Sequence, residues 1–544
     1  MEGPGNQCAV CGSSVSVVCS QCETVAYCGP EHQKSHWLEH KTLCTPYTIQ
    51  RSDTLGRYLV ASRDIKAGEV ILKELPLVLG PRVDSSPICI GCYKPLPMYQ
   101  PNHCSQCLVA PVCGAQCERN GDHSDVEYHS QMVLPFRCLL QIKNSSTDPR
   151  WNSFLELESH EKERRDTLIW RDHQLNVVEV MRTHELLCSK EEADLMQRIC
   201  GILDVNSFEV RGPVSKSGDS ERLRGVYLRA ALMAHDCLAN THLAVDDSFQ
   251  MTIHASVLIP RSQAIYFNYT NTMQGTLDRQ AHLREGKYFH CTCRRCSDPT
   301  EEGTHMSSIR CVRCKDGFII PTDPTTNQQK WECNKCNHHY RHNMIKTTVS
   351  LARSFVDEVD RTDYRAMEAL LIRLSRTFPP QHFVLLELKQ TLVAVYRDII
   401  NRETNPSRKV LSRKLQLCRD MLPILEVVEP GISRLRGIAL YELQDPIVML
   451  ANKDFEGGEI TVRDLLSKLR EAEGYLREAI SQLIYEPMNS PEGHLARVAM
   501  QDLKNLRYSI QHAEKLVSET ETRKSSTGSI GSAKKRGGGR KKKT

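Results

Sequence analysis

The chain has 544 residues, of which 25% are charged and 40% hydrophobic, with a formal net charge of +5 and 24 cysteines. Such a length exceeds one ordinary domain and predicts three or four, while the lack of any run of about 18 apolar residues excludes a transmembrane helix. Nine of the positive charges fall in residues 523–544, which hold no acid, so the folded body is mildly acidic and the basicity belongs to a C-terminal appendage.

The opening "MEGPGNQCAV" has no basic stretch followed by an apolar one, so it is not read as a secretory signal and an intracellular, reducing location is expected. Cysteines in such a compartment do not form a disulfide framework. Seven Cys-x2-Cys pairs occur, at 8/11, 19/22, 89/92, 104/107, 293/296, 311/314 and 333/336. Two thiolates at that spacing bind one metal ion from a tight turn, and Zn²⁺ is the default for sulfur-rich sites.

In chain order, residues 1–45 come first. Cys8, Cys11, Cys19 and Cys22 precede "YCGPEHQKSHWLEHKTLC", which adds Cys28, His32, His40 and Cys44. Eight ligands make two closed tetrahedral sites. A segment this short has no hydrophobic core of its own, so metal binding, worth roughly 10–16 kcal/mol in small modules, supplies its fold. His36 is surplus and is expected to pack or face solvent. Residues 55–83 read as short β-branched strands around an "AG" turn. A second Cys-rich stretch holds Cys89, Cys92, Cys104, Cys107, Cys113 and Cys117, followed by His123 and His129. Residues 133–200 have helical period, and residues 206–270 return to strand-like runs such as "MTIHASVLI" and "AIYFNY".

Two stretches pose a joint question. "YFHCTCRRC" carries Cys291, Cys293 and Cys296, which leave a tetrahedron one ligand short. The cysteines outside clusters are Cys138, Cys188, Cys200, Cys237 and Cys418. Of these, Cys237 lies in "MAHDCLANTH" near His235; a lone buried cysteine is usually core packing, and filler, nucleophile and ligand all remain open. Further on, Cys311, Cys314, Cys333 and Cys336 have zinc-ribbon spacing, and Gly317 and Pro321 suit the loop between the knuckles. Beyond residue 341 helical periodicity dominates. Leu465, Leu466, Leu469, Ala472, Leu476, Ala479, Ile480 and Leu483 line one apolar face, and several such helices predict stacked antiparallel pairs. From residue 519 the composition cannot bury a core and predicts disorder. Its "KKRGGGRKKK" reads as a nuclear address, or as a sequence-blind, salt-sensitive contact to nucleic acid confined to the tail.

Taken together, these motifs resemble a SET-domain protein with a MYND finger, the SMYD family, and within it the arthropod-type SmydA branch. The segment from Gln33 to Cys44 matches the MYND ending "Q-x-x-H-W-x-x-H-K-x-x-C". "LGRYLVASRDIKAGEVIL" resembles the opening SET strands, "LMAHDCLANTH" the "NHSCxPN" motif, "AIYFNYT" the strand ending in the catalytic tyrosine, and "YFHCTCRRC" the post-SET zinc knot. The resemblance implies an α+β multidomain chain. Residues 1–45 form the MYND finger. Residues 46–275 form a split, β-rich SET domain, interrupted by a MYND-like cluster (89–133) and a helical insert (134–205). Residues 276–340 hold the post-SET knot and ribbon-like segment, 341–518 an α-helical (TPR-like) domain, and 519–544 a disordered tail.

The same resemblance implies the ligand sets. In the first finger, Cys8, Cys11, Cys28 and His32 interleave with Cys19, Cys22, His40 and Cys44. In the second cluster, Cys89, Cys92, Cys113 and Cys117 hold one zinc, and Cys104, Cys107, His123 and His129 form a second set. Cys237 completes the knot. S-adenosylmethionine is the implied cofactor, contacted by Gly56, Arg57, Tyr58, His160, Ala234, His235, Tyr269 and Tyr288, with Tyr269 the catalytic phenol. The family pattern is broken at Tyr58 (usually Gly), Ala234 (Asn), Asp236 (Ser), Ala239 (Pro) and Lys287 (an aromatic). The implied activity is protein-lysine methylation, expected in nucleus and cytoplasm. The alternative is a weakly catalytic SET scaffold whose MYND finger recruits proline-containing peptides of corepressor-type partners. No membrane partner is expected.

Overall fold

A computed structural model describes residues 7–15, 17–19, 25–97, 102–105, 110–119, 130–144, 148–214, 220–326 and 329–528. The chain divides into two compact units. The first comprises Met1–Glu301, Asp323–Asn327 and Pro430–Ile432, and the second the remainder. No helix among the described residues is long and apolar enough to cross a membrane.

The first unit opens with the Cys/His-rich segment, whose helix α1 (Pro30–Cys44) starts at a proline, the residue whose missing N–H costs nothing there. Strands β1 (Tyr47–Ser52) and β2 (Gly56–Ala61) form an antiparallel hairpin, with Tyr47 opposite Ala61 and Ser52 opposite Gly56. Gly56 takes φ +65°, a left-handed value a side chain resists. Strands β3 (Val70–Glu74) and β4 (Val78–Pro81) follow.

The second Cys cluster holds the short helix α2 (Ala115–Arg119). Helices α3 (Ser130–Asn144), α4 (Pro149–Leu155), α5 (Glu161–Arg164), α6 (Leu168–His173), α7 (Val180–Thr183) and α8 (Lys190–Asn206) make the helical insert. A π-helical segment, Gln174–Glu179, joins α6 to α7. The chain then returns to strands β5 (Ser207–Arg211) and β6 (Arg222–Val226). These build the sheet β4-β6-β5, while β8 (Thr241–Val245) and β9 (Met251–Ala255) join β3 in the sheet β3-β9-β8. Alternation along β9 buries Met251, Ile253 and Ala255 on one face, in the same core as Leu59, Val226 and Ile265.

Strands β7 (Ala234–His235) and β10 (Tyr266–Phe267) are short and pair in parallel, Ala234 with Tyr266 and His235 with Phe267. Asn240 fastens this crossing. Its amide donates to the Ala264 carbonyl at 2.9 Å and its oxygen accepts from the Tyr266 amide at 2.7 Å. Helices α9 (Thr276–Gly286) and α10 (Arg294–Ser297) carry the chain past the third Cys group. Residues 430–432 also belong to this unit: the Ile432 amide donates to the Ser256 carbonyl at 3.0 Å. Beside it Gly431 has φ +79°, and an added Cβ would lie 1.9 Å from that same carbonyl oxygen.

In the second unit, strands β11 (Ile309–Arg310), β12 (Phe318–Pro321), β13 (Trp331–Cys333) and β14 (His339–Tyr340) pair antiparallel in sequence order. Seven helices follow: α11 (His342–Glu358), α12 (Tyr364–Leu374), α13 (Phe383–Arg402), α14 (Arg408–Val428), α15 (Arg434–Glu456), α16 (Val462–Leu483) and α17 (Pro491–Gly528). From α12 onward each packs on the next. Thr461 caps α16 in a reciprocal box with Asp464, and the helix buries Leu465, Leu466, Leu469, Ala472, Leu476, Ala479 and Leu483 of the predicted stripe, with Ile480 at its edge only half-buried. Helix α17 continues to Gly528, past residue 518, where composition ends the helical domain. The basic run at 534–543 lies outside the described residues. The fold is therefore a mixed sheet-and-helix body built on Cys-rich clusters, with a helical C-terminal region.

Candidate active site and metal-ligand clusters

Among the described residues, five groups of cysteine and histidine converge with their ligand atoms within 4.8 Å of one another. In the first finger they are Cys8, Cys11, Cys28 and His32, and Cys19, His40 and Cys44. In the second cluster they are Cys89, Cys92, Cys113 and Cys117. Cys237 meets Cys291, Cys293 and Cys296, and Cys311, Cys314, Cys333 and Cys336 form the ribbon group.

The donor geometry tests for zinc. A tetrahedron with Zn–S bonds of about 2.3 Å has sulfur–sulfur edges of about 3.8 Å. The Sγ–Sγ separations are 3.6 Å for Cys11–Cys28, Cys19–Cys44, Cys92–Cys113 and Cys314–Cys333, 3.7 Å for Cys311–Cys336, and 3.4 Å for Cys237–Cys296. Thiols packed this closely, with no disulfide formed, fit a shared zinc ion.

Cys22, Cys107, His123 and His129 lie outside the described residues. Cys104 is buried, with its Sγ 3.3 Å from Glu118 Oε1. The surplus His36 accepts or donates at 2.9 Å with the Tyr27 hydroxyl and packs against the rings of Tyr27 and His40.

The Cys237 group sits against the candidate catalytic residues. Cys237 is fully buried. The preceding β7 residue, His235, uses both ring nitrogens. Its Nδ1 accepts from the Tyr269 amide at 3.0 Å, which leaves Nε2–H to face Cys237 Sγ at 3.4 Å. Burial pushes the imidazole pKa down to about 4, so the ring is neutral and holds that tautomer. His235 thus ties the tyrosine's backbone to the thiol cluster. The Tyr269 hydroxyl donates to the Met233 carbonyl, and burial raises its pKa above the usual tyrosine value. On the other side of the cluster, the buried Arg279 donates to Glu301 at 2.9 Å and approaches Cys296 Sγ at 3.6 Å. A guanidinium there offsets the excess negative charge of a four-thiolate site.

The remaining candidates form a chain of contacts within the first unit. Arg57 donates to the Glu156 carboxylate and carbonyl, each at 2.8 Å. The Tyr58 hydroxyl points along the hairpin to Gln50, 3.5 Å away, so its bulk lies over β1. His160, at φ +46°, packs its ring 5.0 Å from that of Tyr288, itself at φ +61°. Lys287 reaches across to the C-terminal end of α8, donating to the Val205 carbonyl at 2.5 Å and the Asp204 carbonyl at 3.2 Å. Its Nζ lies 5.8 Å from the centre of the Tyr269 ring. Ala234 is buried and offers no side-chain donor.

Three residues that sequence reading passed over belong here. Phe289 packs 5.8 Å from His235, and its signal was an aromatic two places before Cys291. Asn240 fastens the strand crossing from within the very motif that was singled out. Asn206, at the end of α8, donates to the Glu158 carbonyl at 2.8 Å and so ties α8 to the His160 loop; no local pattern marked it.

A Cys/His finger thus precedes a split sheet whose parallel strand crossing closes on a four-cysteine group. The MYND finger family matches residues 8–44. The Drosophila melanogaster protein named SET domain-containing protein SmydA-8, isoform A, is 26% identical over 416 residues, covering 73% of this chain and 88% of the relative. The Arabidopsis thaliana protein named Histone-lysine N-methyltransferase ASHR1 is 24% identical over 424 residues, covering 71% and 83%. The chain is thus similar to SET and MYND domain proteins along most of its length, and its residues 8–44 form a MYND finger.

Proposed function

We propose that this protein is an S-adenosylmethionine-dependent protein-lysine N-methyltransferase that carries zinc in the cysteine groups described above. The observation that carries the reading is Tyr269. It is held at its backbone by His235 and at its hydroxyl by the Met233 carbonyl, beside a four-cysteine group and in contact with the Lys287–Tyr288–His160 surface. The name of the Arabidopsis relative supports the same reaction class.

When bound, S-adenosylmethionine supplies a methyl group activated by a sulfonium. The protein needs no nucleophile for such a transfer; it needs alignment, a neutral substrate amine and exclusion of water. Tyr269 and the Met233 carbonyl orient the incoming lysine amine. Its desolvation against Phe267 and Tyr269 favours the neutral form. Gly56, His160, Ala234 and Tyr288 would line the cofactor side. Arg57 is committed to Glu156 and His235 to Tyr269 and Cys237, so these two act by bracing the site. Zinc in the Cys237 group would clamp the segment carrying Tyr288 against the strand crossing.

Thermal shift of zinc-loaded full-length protein with millimolar S-adenosylmethionine tests the reading, because a ligand that binds only the folded state raises its stability. No shift with either the cofactor or its demethylated product overturns it. A second reading, a weakly catalytic adaptor, draws on α1, where Trp37 is 37% and Leu38 87% exposed. These side chains offer a surface for a proline-containing peptide of a corepressor-type partner. Such binding, lost in Trp37→Ala, would mark the adaptor role. The basic run at 534–543 would direct nuclear accumulation.

A further inference from the structure

Lys287 sets a cation beside Tyr269, at the edge of the surface assigned above to the cofactor. Its Nζ is held by two backbone carbonyls, Val205 at 2.5 Å and Asp204 at 3.2 Å, and by the face of Tyr269. No carboxylate among the described residues pairs with it. The acid of the neighbourhood, Asp204, is already committed: Arg164 lies 3.3 Å, Arg224 3.5 Å and His173 3.7 Å from its carboxylate oxygens. The groups facing Lys287 are therefore Asp204 on α8, with its two arginines and His173, Tyr269 beyond β10, and Tyr288, with His160 behind it flanked by Glu158 and Glu163. Arg164 and Arg224 thus compete with Lys287 for the Asp204 carboxylate, which reaches both arginines and makes no ion pair with the lysine.

We propose that Lys287 is a charge gate on the cofactor site: as an ammonium it disfavours the sulfonium of S-adenosylmethionine relative to the neutral thioether of S-adenosylhomocysteine, and as a free amine it admits both. This inference rests on the cofactor assignment made above. The chemistry is selective because the two ligands differ at the reacting sulfur by one methyl group and one positive charge. Their amino-acid and nucleoside parts are the same, so any titration of those parts cancels in the ratio of their affinities. Desolvation, opposed only in part by Asp204, brings the Lys287 pKa down to about 8. Lys287 is therefore mostly charged below that value and neutral above it, and S-adenosylmethionine gains affinity as pH rises. In the limit where the sulfonium binds only the amine form, the affinity ratio of the two ligands changes about 25-fold between pH 6.5 and pH 8.5. The gate would make the enzyme easily held by its own product in acid and released from it in mild alkali.

The test is calorimetric titration of the zinc-loaded full-length protein with each ligand at pH 6.5, 7.5 and 8.5. The ratio of the S-adenosylmethionine Kd to the S-adenosylhomocysteine Kd is expected to fall by about tenfold or more across that range. In Lys287→Met, which keeps the length and removes the charge, the ratio should be low and flat. In Lys287→Arg, which keeps the charge at every pH, it should be high and flat, and this variant stands in if the methionine one does not fold. A wild-type ratio that does not move with pH overturns the gate while leaving the cofactor assignment intact. So does a pH-dependent ratio that survives in Lys287→Met. Failure of both ligands to bind at any pH overturns the cofactor assignment, and the gate with it.

Discussion

Replacing Cys237 with serine is expected to release one zinc ion and loosen the segment around residues 287–301. Cys237 is fully buried, with its Sγ 3.4 Å from that of Cys296, and it joins Cys291 and Cys293 in one ligand group. The other three ligands lie between residues 291 and 296, so Cys237 is the long-range arm of the site. A metal bridge from 237 to 291 closes a loop of about 55 residues, and the loop-closure entropy of a covalent link that long is worth about 4 kcal/mol. Losing the arm removes that constraint and leaves three thiolates that cannot complete a tetrahedron. The same change removes the acceptor facing His235 Nε2, and so weakens the support of Tyr269. Elemental analysis of wild-type protein should find at least five zinc ions, and the variant about one fewer. Limited proteolysis should open the 287–301 segment ahead of the rest of the first unit. A variant with unchanged zinc content would refute the link between Cys237 and the three downstream cysteines, whatever its stability.

Tyr269→Phe is expected to abolish methyl transfer to a lysine substrate while changing S-adenosylmethionine affinity less than threefold, since the phenol acts at the reacting centre; equal loss of binding in calorimetry would argue for a merely structural ring. Gly431→Ala places a Cβ 1.9 Å from the Ser256 oxygen at a φ of +79°, and should destabilise the fold by about 2 kcal/mol or more in a denaturant midpoint measurement. Arg279→Met removes one of the two arginines paired with the buried Glu301 carboxylate, and should lower stability by roughly 3 kcal/mol, read by thermal unfolding. Deleting residues 529–544, past the end of α17, should leave folding and cofactor binding unchanged, and should reduce nuclear accumulation when the tagged protein is imaged.

The clusters were legible because ligand spacing is local. Cys-x2-Cys pairs show their purpose within four residues, and three of the complete four-ligand groups consist of such pairs with their neighbours. The stripe of α16 was legible for the same reason, since period and burial are set within one helix. Cys237 stood apart. Nothing within its own stretch separated a ligand from a packed thiol, and only the resemblance of "LMAHDCLANTH" to a family motif pointed to the partners 54 and more residues downstream. Side-chain commitments were not legible at all. That Arg57 is spent on Glu156, that both nitrogens of His235 face inward, and that Tyr58 lies along the hairpin are set by the packed structure and not by any sequence spacing. Lys287 stood out in sequence only as a departure from the family's usual aromatic. Its setting comes from the end of α8, some 80 residues earlier.

The three residues Pro430–Ile432 belong to the first unit although the helices before and after them, α14 and α15, belong to the second. The same is true of Asp323–Asn327, lodged inside the ribbon segment. The chain is therefore not a string of beads that evolution or an experimenter can shorten from the right. A stop codon anywhere before residue 430 removes a piece of the sheet-bearing unit together with the helical one, and leaves the Ser256 carbonyl without its bond from Ile432. Loss-of-function alleles truncated within the helices should thus behave as defects of the sheet-bearing unit as well, and recombination that exchanges the helical region among relatives must carry this inserted tripeptide with it.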